Sequence, residues 1–240
     1  MQCMLQPLPA DAALSAFGPA AIMAAMPITH IVLIRHGETA WNAERRLQGH
    51  IDIALNAKGQ RQADALGAAL AGQHFDAIIA SDLQRALQTA NALAGPRGMP
   101  VRLDSALRER CYGAFEGVLY ADIARRFPAE FAAWQARDID AVMPHGERCA
   151  ESFRQFYVRS MAAIMGWAAS HAGQSIALVA HGGVLECAYR AARQMPLDTA
   201  RNFAVLNASV NRFAVEDGVL RLVSWGEVGH LAPRALDELA

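Results

Sequence analysis

Two segments far apart in this 240-residue chain share one pattern, a short aliphatic run that ends on a His-Gly pair. Residues 31–37 read Ile-Val-Leu-Ile-Arg-His-Gly, and residues 176–182 read Ile-Ala-Leu-Val-Ala-His-Gly. Short apolar runs without alternation are typical of strands buried on both faces of a parallel sheet. Ligands of open α/β sheets bind at the carboxyl ends of the strands. The pattern therefore predicts that His36 and His181 lie in one crevice.

Strands and helices alternate along the rest of the chain. Further strands are predicted at Phe75 to Ala80, Val210 to Val215 and Val219 to Trp225, with Asp217-Gly218 as a hairpin turn between the last two. Helices are predicted after Asn56, after a capping box at Ser81-Asp82-Leu83-Gln84, from Ala150 to about His171, and after His181. This order predicts an α/β fold, a three-layer α/β/α sandwich with a mainly parallel sheet and an antiparallel edge.

Between Asp104 and Gly146 the pattern is irregular and rich in aromatic residues. We expect this stretch to form a helical insertion over the site. Its aromatic side chains have two interpretations: they line an apolar pocket, or they anchor the insertion to the core. The residues concerned are Tyr112, Phe115, Tyr120, Phe127, Phe131 and Trp134.

The first 27 residues differ from the rest, because they are rich in Ala, Met and Pro and contain no Lys or Arg. A secretory signal needs a positively charged start and a transit peptide needs arginines, so neither is predicted. We expect residues 1–27 to form a poorly ordered extension and residues 28–240 to form a single domain.

Composition excludes several classes of function. The chain has 22 basic and 23 acidic residues, which argues against a nucleic-acid groove. No apolar run reaches the roughly 20 residues that a membrane span requires. The four cysteines, Cys3, Cys111, Cys149 and Cys187, show no Cys-x-x-Cys spacing. Reduced thiols and a cytoplasmic location are therefore expected, without a disulfide framework or a zinc cluster.

Two arginines point to an anionic ligand. Arg35 directly follows a buried strand, where a cation is costly unless it meets a carboxylate or a phosphate. Arg85 falls in the first turn of the helix predicted to start at Ser81, where the helix dipole disfavours a cation by about 0.3–1 kcal/mol. A bound phosphate would offset that cost. Arg85 can also be read as a solvated surface residue.

Residues 35–39, Arg-His-Gly-Glu-Thr, resemble the signature of the histidine phosphatase superfamily, which contains the phosphoglycerate mutases and many phosphatases. Further motifs follow in the order typical of that family, and the resemblance extends from Ile28 to Leu231. They are Trp41-Asn42, Leu47-Gln48-Gly49, Leu55-Asn56-x-x-Gly59, Ser81-Asp82-Leu83-x-Arg85-Ala86, Leu107-Arg108-Glu109-Arg110-x-Tyr112-Gly113, His181-Gly182 and Asn207-Ala208-Ser209.

The resemblance implies a role for each matching residue. His36 would attack phosphorus, and Glu109 would protonate the leaving alcohol and then help to activate water. The phosphoryl oxygens would be held by Arg35, Arg85 and His181, with help from Asn42. The remaining substrate-binding positions would be Gln48, Gly49, Tyr112 and Gly182. Two arginines and an imidazolium supply the positive charge that phosphoryl transfer needs, so no metal or other cofactor is expected.

Glu116 is a rival for the role of acid, but it does not occupy the family's Leu-x-Glu position, and we expect it to make a structural or solvent contact. The expected partner is a small phosphorylated metabolite, with no nucleic acid and no membrane, and the resemblance leaves room for a homodimer.

Departures from the family's mutases favour hydrolysis. Those mutases bind the substrate carboxylate with a lysine and an arginine pair on a long basic insertion. Here Tyr120 stands at the lysine position, and Gln135 and Ala136 follow Trp134 in place of the arginines. We therefore predict a phosphatase for small phosphomonoesters. A 2,3-bisphosphoglycerate-dependent phosphoglycerate mutase is the alternative.

Two other classes of protein are less favoured. A non-catalytic module that binds phosphoproteins would typically lack the nucleophile or the acid, and this chain retains both His36 and Glu109. A zinc or iron hydrolase is disfavoured because the chain has no His-x-His or His-Glu-x-x-His motif.

Overall fold

The computed structural model describes residues 27–147 and 150–231. The extension expected over residues 1–27 therefore lies, except for Pro27, outside the described residues. Within the described ranges, no helix is long and apolar enough to span a lipid bilayer.

A six-stranded mixed sheet forms the centre of the molecule, in the order β3-β2-β4-β1-β5-β6. Its strands are β1 (Thr29–Arg35), β2 (Ala77–Ala80), β3 (Val101–Leu103), β4 (Ser175–Ala180), β5 (Val210–Glu216) and β6 (Val219–Glu227). The first four are parallel, and β5 and β6 form an antiparallel edge. Asp217 and Gly218 join β5 to β6 with φ angles of 50° and 73°, as the hairpin prediction requires.

The pairing of β1 with β4 sets the position of the two histidines. Arg35 pairs with Ala180 at the carboxyl ends of these parallel neighbours, so His36 and His181 leave the sheet side by side. The backbone N–H of His36 continues the ladder by donating to the Ala180 carbonyl at 3.0 Å. The two histidines therefore lie next to each other, as the sequence predicted.

Helices cover both faces of the sheet. They are α1 (Ala40–Ala43), α2 (Ala57–Ala69), α3 (Gln84–Ala94), α4 (Tyr120–Arg126), α5 (Pro128–Gln135), α6 (Phe153–Ser170) and α7 (Gly182–Ala192). Helix α2 follows Asn56, as predicted, and the Asn56 side chain caps it by accepting from the Gly59 N–H at 2.7 Å. Ser152 and Gln155 form a capping box at the start of α6.

The capping box predicted at Ser81 is wrong. Helix α3 begins at Gln84. Its N-cap residue is Leu83, whose side chain makes no capping hydrogen bond. Asp52, from a distant loop, accepts from the backbone N–H of Gln84 at 2.7 Å instead. The Ser81 hydroxyl lies 2.8 Å from Nε2 of His181 and so belongs to the site rather than to the helix terminus.

Each face of β1 contributes to a different core. Ile31 and Leu33 pack with residues of α6 and α7, whereas Val32 and Ile34 pack with residues of α2 and α3. All four side chains are nearly fully buried. Burying an aliphatic side chain of this size stabilises the fold by roughly 1.5–3 kcal/mol. This strand thus joins the layers of the predicted α/β/α sandwich.

The irregular stretch forms a small helical insertion with a core of its own. Phe115 is fully buried there, with its ring centroid 5.0 Å from that of Phe127 and 5.9 Å from that of Trp134. Helices α4 and α5 therefore dock through aromatic contacts.

Replacing Ser152 by alanine should lower the free energy of unfolding by about 1 kcal/mol, because it removes the acceptor for the Gln155 N–H at the start of α6. Urea denaturation measures the change. Ser170→Ala, at the exposed end of the same helix, is the matched control. Equal stability of the two variants would contradict this account of the cap.

Candidate active site

His36 and His181 lie together at the carboxyl edge of the sheet, with their ring centroids 5.2 Å apart. Both rings are almost completely buried. Each histidine is fixed by the end of a central strand, so the pair is held by backbone geometry rather than by a mobile loop.

Hydrogen bonding selects one neutral form of His36. Its Nδ1 lies 2.7 Å from the Gly37 carbonyl, which can only accept, so Nδ1 carries the proton. The lone pair then resides on Nε2. Burial, followed by the positive charges of Arg85 and Arg35, holds the pKa of His36 well below its ordinary value of 6.5. A neutral imidazole with a free ring nitrogen is a competent nucleophile near neutral pH.

His181 adopts the opposite tautomer. Its Nδ1 accepts from Nε of Arg85 at 3.2 Å, so Nε2 carries the hydrogen that is donated to the Ser81 hydroxyl. Burial and the charge of Arg85 keep the pKa of His181 well below its ordinary value. His181 is therefore neutral in the free protein, which corrects the imidazolium expected from the sequence. Ser81 was missed as a site residue because its position suggested a helix cap.

Arg85 is buried and rigidly directed. Its Nη1 donates to the Ile51 carbonyl at 3.0 Å, and its Nη2 donates to the Gly49 carbonyl at 2.7 Å. Gly49 has a φ of +54°, and a Cβ there would lie 1.9 Å from a carboxylate oxygen of Glu116. Only glycine fits at this position. Burial is the main cause that lowers the pKa of Arg85 to about 10, so its charge persists at neutral pH.

Arg35 retains an unused donor. One Nη of its guanidinium donates to the Val205 carbonyl, whereas the buried Nε has no hydrogen-bond partner. Burial lowers the pKa of Arg35 to about 10, which leaves it charged. A buried N–H without a partner is costly, and an anionic ligand would satisfy it.

The carboxylate of Glu109 is held against the first turn of α7. One carboxylate oxygen accepts from the Gly183 N–H at 3.0 Å, and the other accepts from the Arg110 N–H at 2.8 Å. A Cβ on Gly183 would lie 2.1 Å from the Glu109 carboxylate, so the close approach requires glycine. The neighbouring Gly182 lies beside the Arg35 guanidinium, with 3.5 Å between its ideal Cβ position and Nε.

Three further residues predicted for the site, Asn42, Gln48 and Tyr112, lie beside these groups. The side-chain oxygen Oδ1 of Asn42 accepts from the Thr39 N–H at 3.0 Å, so the side-chain nitrogen Nδ2 is the group available as a donor. Gln48 has a buried Oε1 without a hydrogen-bond partner. Burial, with a smaller effect of the Glu109 charge, raises the pKa of Tyr112, which keeps its phenol protonated.

A cavity of about 360 Å³, here called the first cavity, collects all the predicted residues except His181, which lies behind Arg85. Its wall also contains residues that the sequence did not single out for the site. They are Arg45, Arg46, Leu47, Gly183, Glu186, Arg201 and Val205. Gly183 and Glu186 lie on α7 and Leu47 belongs to a family motif, whereas the other four come from turns and loops without a local pattern. Only the three-dimensional structure brings all seven to this wall.

Both interpretations of the aromatic residues hold. Tyr112, Tyr120 and Trp134 line the first cavity. The same three rings also pack in the insertion, where Trp134 lies 5.6 Å from Tyr120 and 5.8 Å from Tyr112. The wall also carries positive charge, because five arginines line the first cavity beside these rings: Arg35, Arg45, Arg46, Arg85 and Arg201.

Glu116 makes structural contacts, as predicted. Its Oε1 accepts from the backbone N–H of His50 at 2.8 Å and from that of Tyr112 at 3.1 Å. Across the described residues, no group of three or more His, Cys, Asp or Glu side chains is arranged to hold a metal ion.

Comparison with known proteins agrees with this arrangement. The model of the histidine phosphatase superfamily (branch 1) matches residues 31–228. Phosphoglycerate mutase-like protein 4 of Arabidopsis thaliana is 37% identical over 204 residues, covering 84% of this chain and 86% of the relative. The metal-independent phosphoserine phosphatase of the same plant is 36% identical over 207 residues, covering 85% and 84% of the two chains.

A solved structure gives the same result at the level of the fold. Bacillus stearothermophilus YhfR superimposes with a TM-score of 0.76 and 33% sequence identity, over 84% of this chain and 98% of that one. Since the family model spans most of the sequence and the family's motifs converge on one cavity, this chain belongs to the histidine phosphatase superfamily.

Proposed function

We propose that this protein hydrolyses small phosphomonoesters through a phosphohistidine formed on His36. The observation that carries the proposal is the neutral His36, whose free Nε2 shares a buried cavity with the Arg35 and Arg85 guanidiniums and the Glu109 carboxyl group. The phosphatase named among the relatives supports the same reaction.

In the first step, Nε2 of His36 attacks phosphorus and the bond from phosphorus to the ester oxygen breaks. The leaving oxygen takes a proton from the carboxyl group of Glu109. In the second step, the Glu109 carboxylate accepts a proton from a water molecule as the water oxygen attacks phosphorus. The P–N bond then breaks, and inorganic phosphate and neutral His36 are released.

Positive charge stabilises both transition states. Arg85 lies in the cavity wall, and Nε of Arg35 is a donor without a protein partner. The amide nitrogen of Asn42 supplies a further donor. Fixed donors in a buried pocket stabilise the charge on the three equatorial oxygens without reorganisation during the reaction. His181 contributes by holding the Arg85 side chain, to whose Nε it is hydrogen-bonded.

The insertion supports hydrolysis over mutase chemistry. Tyr120 and Gln135 occupy the positions of the cations that the family's mutases use, and they hydrogen-bond to each other at 3.0 Å. The cations that the mutases carry at these positions are therefore replaced by neutral groups, which favours hydrolysis over rephosphorylation.

The direct test is turnover of 4-nitrophenyl phosphate by the purified protein, with a chelator present and 2,3-bisphosphoglycerate absent. We expect steady release of phosphate. Strict dependence on 2,3-bisphosphoglycerate, with isomerised phosphoglycerate as the product, would establish the mutase instead. Loss of activity in the chelator would establish a metal-dependent hydrolase.

Replacing His36 by alanine should abolish turnover and remove the phosphoenzyme, because no other described side chain in the first cavity offers a free neutral imidazole nitrogen. Phosphate release and the intact mass of protein quenched during turnover measure the two effects. His30→Ala, at the exposed opposite end of β1, is the matched control and should retain both. A His36→Ala protein that still turns over at the normal rate would disprove the mechanism.

Glu109→Gln should slow hydrolysis of alkyl phosphates by about 10²–10⁴-fold, since a poor leaving group needs a proton. The loss should be much smaller for 4-nitrophenyl phosphate, whose phenolate leaves without one. The measurement is kcat/KM for both esters. Glu116→Gln serves as the matched control for the rival acid. A leaving-group dependence that appears in Glu116→Gln rather than in Glu109→Gln would reverse the assignment.

The tautomers of His36 and His181 predict a simple pH response. Because both pKa values are lowered by burial and by nearby arginines, both rings should stay neutral as the pH falls through 6.5. Nitrogen chemical shifts of ¹⁵N-histidine-labelled protein report this directly, with His36→Ala and His181→Ala proteins giving the assignments. Protonation of His36 near its ordinary pKa would contradict the neutral nucleophile.

A further inference from the structure

Side chains from other parts of the chain hold the loop that carries Glu109. Residues 108–111 belong to no helix or strand, so the regular hydrogen bonds of a helix or a sheet do not fix them. Their backbone groups still need partners, because a carbonyl that is shielded from water without a donor is costly. The position of the Glu109 peptide therefore depends on the groups that donate to this loop.

One guanidinium from α6 binds three carbonyl groups of this segment. Nη1 of Arg159 donates to the carbonyls of Ala106 and Arg108, at 2.8 and 3.0 Å. Its Nη2 donates to the Glu109 carbonyl at 3.1 Å. The three carbonyls lie within four consecutive residues, so Arg159 holds the backbone that leads into Glu109 as one unit.

The carboxylate of Glu151 orients this guanidinium. It accepts from Nε of Arg159 at 2.8 Å and from Nη2 at 2.7 Å. An arginine has five N–H donors in one fixed plane, and each of the five in Arg159 has an acceptor. The guanidinium also lies over the Phe156 ring, 5.2 Å from its centroid. Arg159 is therefore held in one orientation and acts as a rigid template for the loop.

Glu151 also binds the loop on the other side of Glu109. Its Oε2 accepts from the Cys111 N–H at 3.0 Å, and its backbone N–H donates to the Cys111 carbonyl at 3.0 Å. His50 adds a second donor to the Glu109 carbonyl, with Nε2 at 2.8 Å. A carbonyl oxygen has two lone pairs, so it accommodates both His50 and Arg159.

Arg159 itself is remote from the reacting groups. Within the described ranges, it lines neither the first cavity nor the second cavity, of about 370 Å³, that adjoins it. Glu109 lines the first cavity, and both of its carboxylate oxygens accept from backbone N–H groups. One of these N–H groups belongs to the next residue, Arg110, so a shift of this peptide also shifts the carboxylate.

Building on the proposed function, we propose that Arg159, oriented by Glu151, is a positioning residue that sets the distance from the Glu109 carboxyl group to the leaving oxygen. A general acid works within hydrogen-bonding reach of the oxygen that it protonates, about 2.6–3.2 Å. A displacement of about 1 Å at such a site costs roughly 10²-fold in rate. Arg159 therefore acts on the proton-transfer step without contacting the substrate.

Arg159→Lys tests this role, because lysine keeps the positive charge but lacks the planar set of five donors. We expect kcat/KM for an alkyl phosphate to fall by about 10–10²-fold. The value for 4-nitrophenyl phosphate should change little, since its phenolate leaves without a proton. A purely structural role would lower both values by the same factor, through the fraction of folded protein. An unchanged ratio of the two values would overturn the proposal.

Arg154→Lys is the matched control. Arg154 lies on the same helix and makes a similar paired contact with a carboxylate, that of Asp140, at 2.6 and 2.9 Å. It is exposed, and its guanidinium contacts Asp140 rather than the Glu109 loop. The ratio of the two kcat/KM values should therefore match that of the unmodified protein.

Glu151→Gln provides an independent variant, because it leaves Arg159 in place but removes the charge that orients it. The ratio should change in the same direction as in Arg159→Lys, and thermal melting checks the fold of both variants. If Arg159→Lys does not fold, the ratio in Glu151→Gln decides the matter, and an unchanged ratio there overturns the proposal.

A double variant separates positioning from other effects. In Glu109→Gln the proton donor is already absent, so adding Arg159→Lys should not lower kcat/KM for the alkyl phosphate further. Losses that multiply would overturn the proposal. If the unmodified protein hydrolyses neither ester, the proposed function itself fails. Hydrolysis of both esters, with an unchanged ratio in Arg159→Lys, overturns only the positioning role.

Discussion

Two guanidiniums buried without a carboxylate of their own impose the main constraint on this structure. Within the described residues, neither Arg35 nor Arg85 forms an ion pair, and backbone carbonyls hold both side chains instead. Carbonyls fix the direction of a guanidinium without cancelling its charge, and the Glu109 carboxylate offsets only part of the positive charge of the two arginines. Burial and the remaining positive charge keep His36 and His181 neutral.

The two neutral histidines adopt opposite tautomers. His36 donates through Nδ1 and keeps Nε2 free, whereas His181 accepts at Nδ1 and donates through Nε2. Each tautomer is determined by the partner of one ring nitrogen, a backbone carbonyl for His36 and the Arg85 guanidinium for His181. One strand-end histidine is thereby available for reaction, and its neighbour is committed to holding a cation.

The features that could be predicted from the sequence are local ones. The aliphatic run that begins at Ile176 lies in β4, and α2 begins directly after Asn56, both as predicted. Apolar runs and helix starts can be predicted because they depend on near neighbours. The Ser81 cap was wrongly predicted because its two competitors are distant in the chain: Asp52 caps the helix, and His181 takes the hydroxyl.

The residues of the candidate site also divide into those that local motifs predict and those that only the tertiary structure shows. Its motif residues were identified from the sequence, since each lies in a recognisable segment such as Arg35-His36-Gly37. Glu186 and Arg201 were not, because one lies on α7 outside any recognised motif and the other lies in the loop after α7, and only the tertiary fold brings them to the first cavity. The neutral state of His181 also needed the structure, because burial and the Arg85 contact set its pKa.

Arg190 has a consequence for how such a protein can diversify. By donating to the carbonyls of Pro196 and Thr199, it fixes the loop that carries Arg201 without touching the strand ends that carry His36 and His181. Substitutions in this loop can therefore change the part of the first cavity that Arg201 and Val205 line, while His36 and His181 stay in place. Evolution can thus alter the shape of the cavity and the strand-end histidines independently of each other.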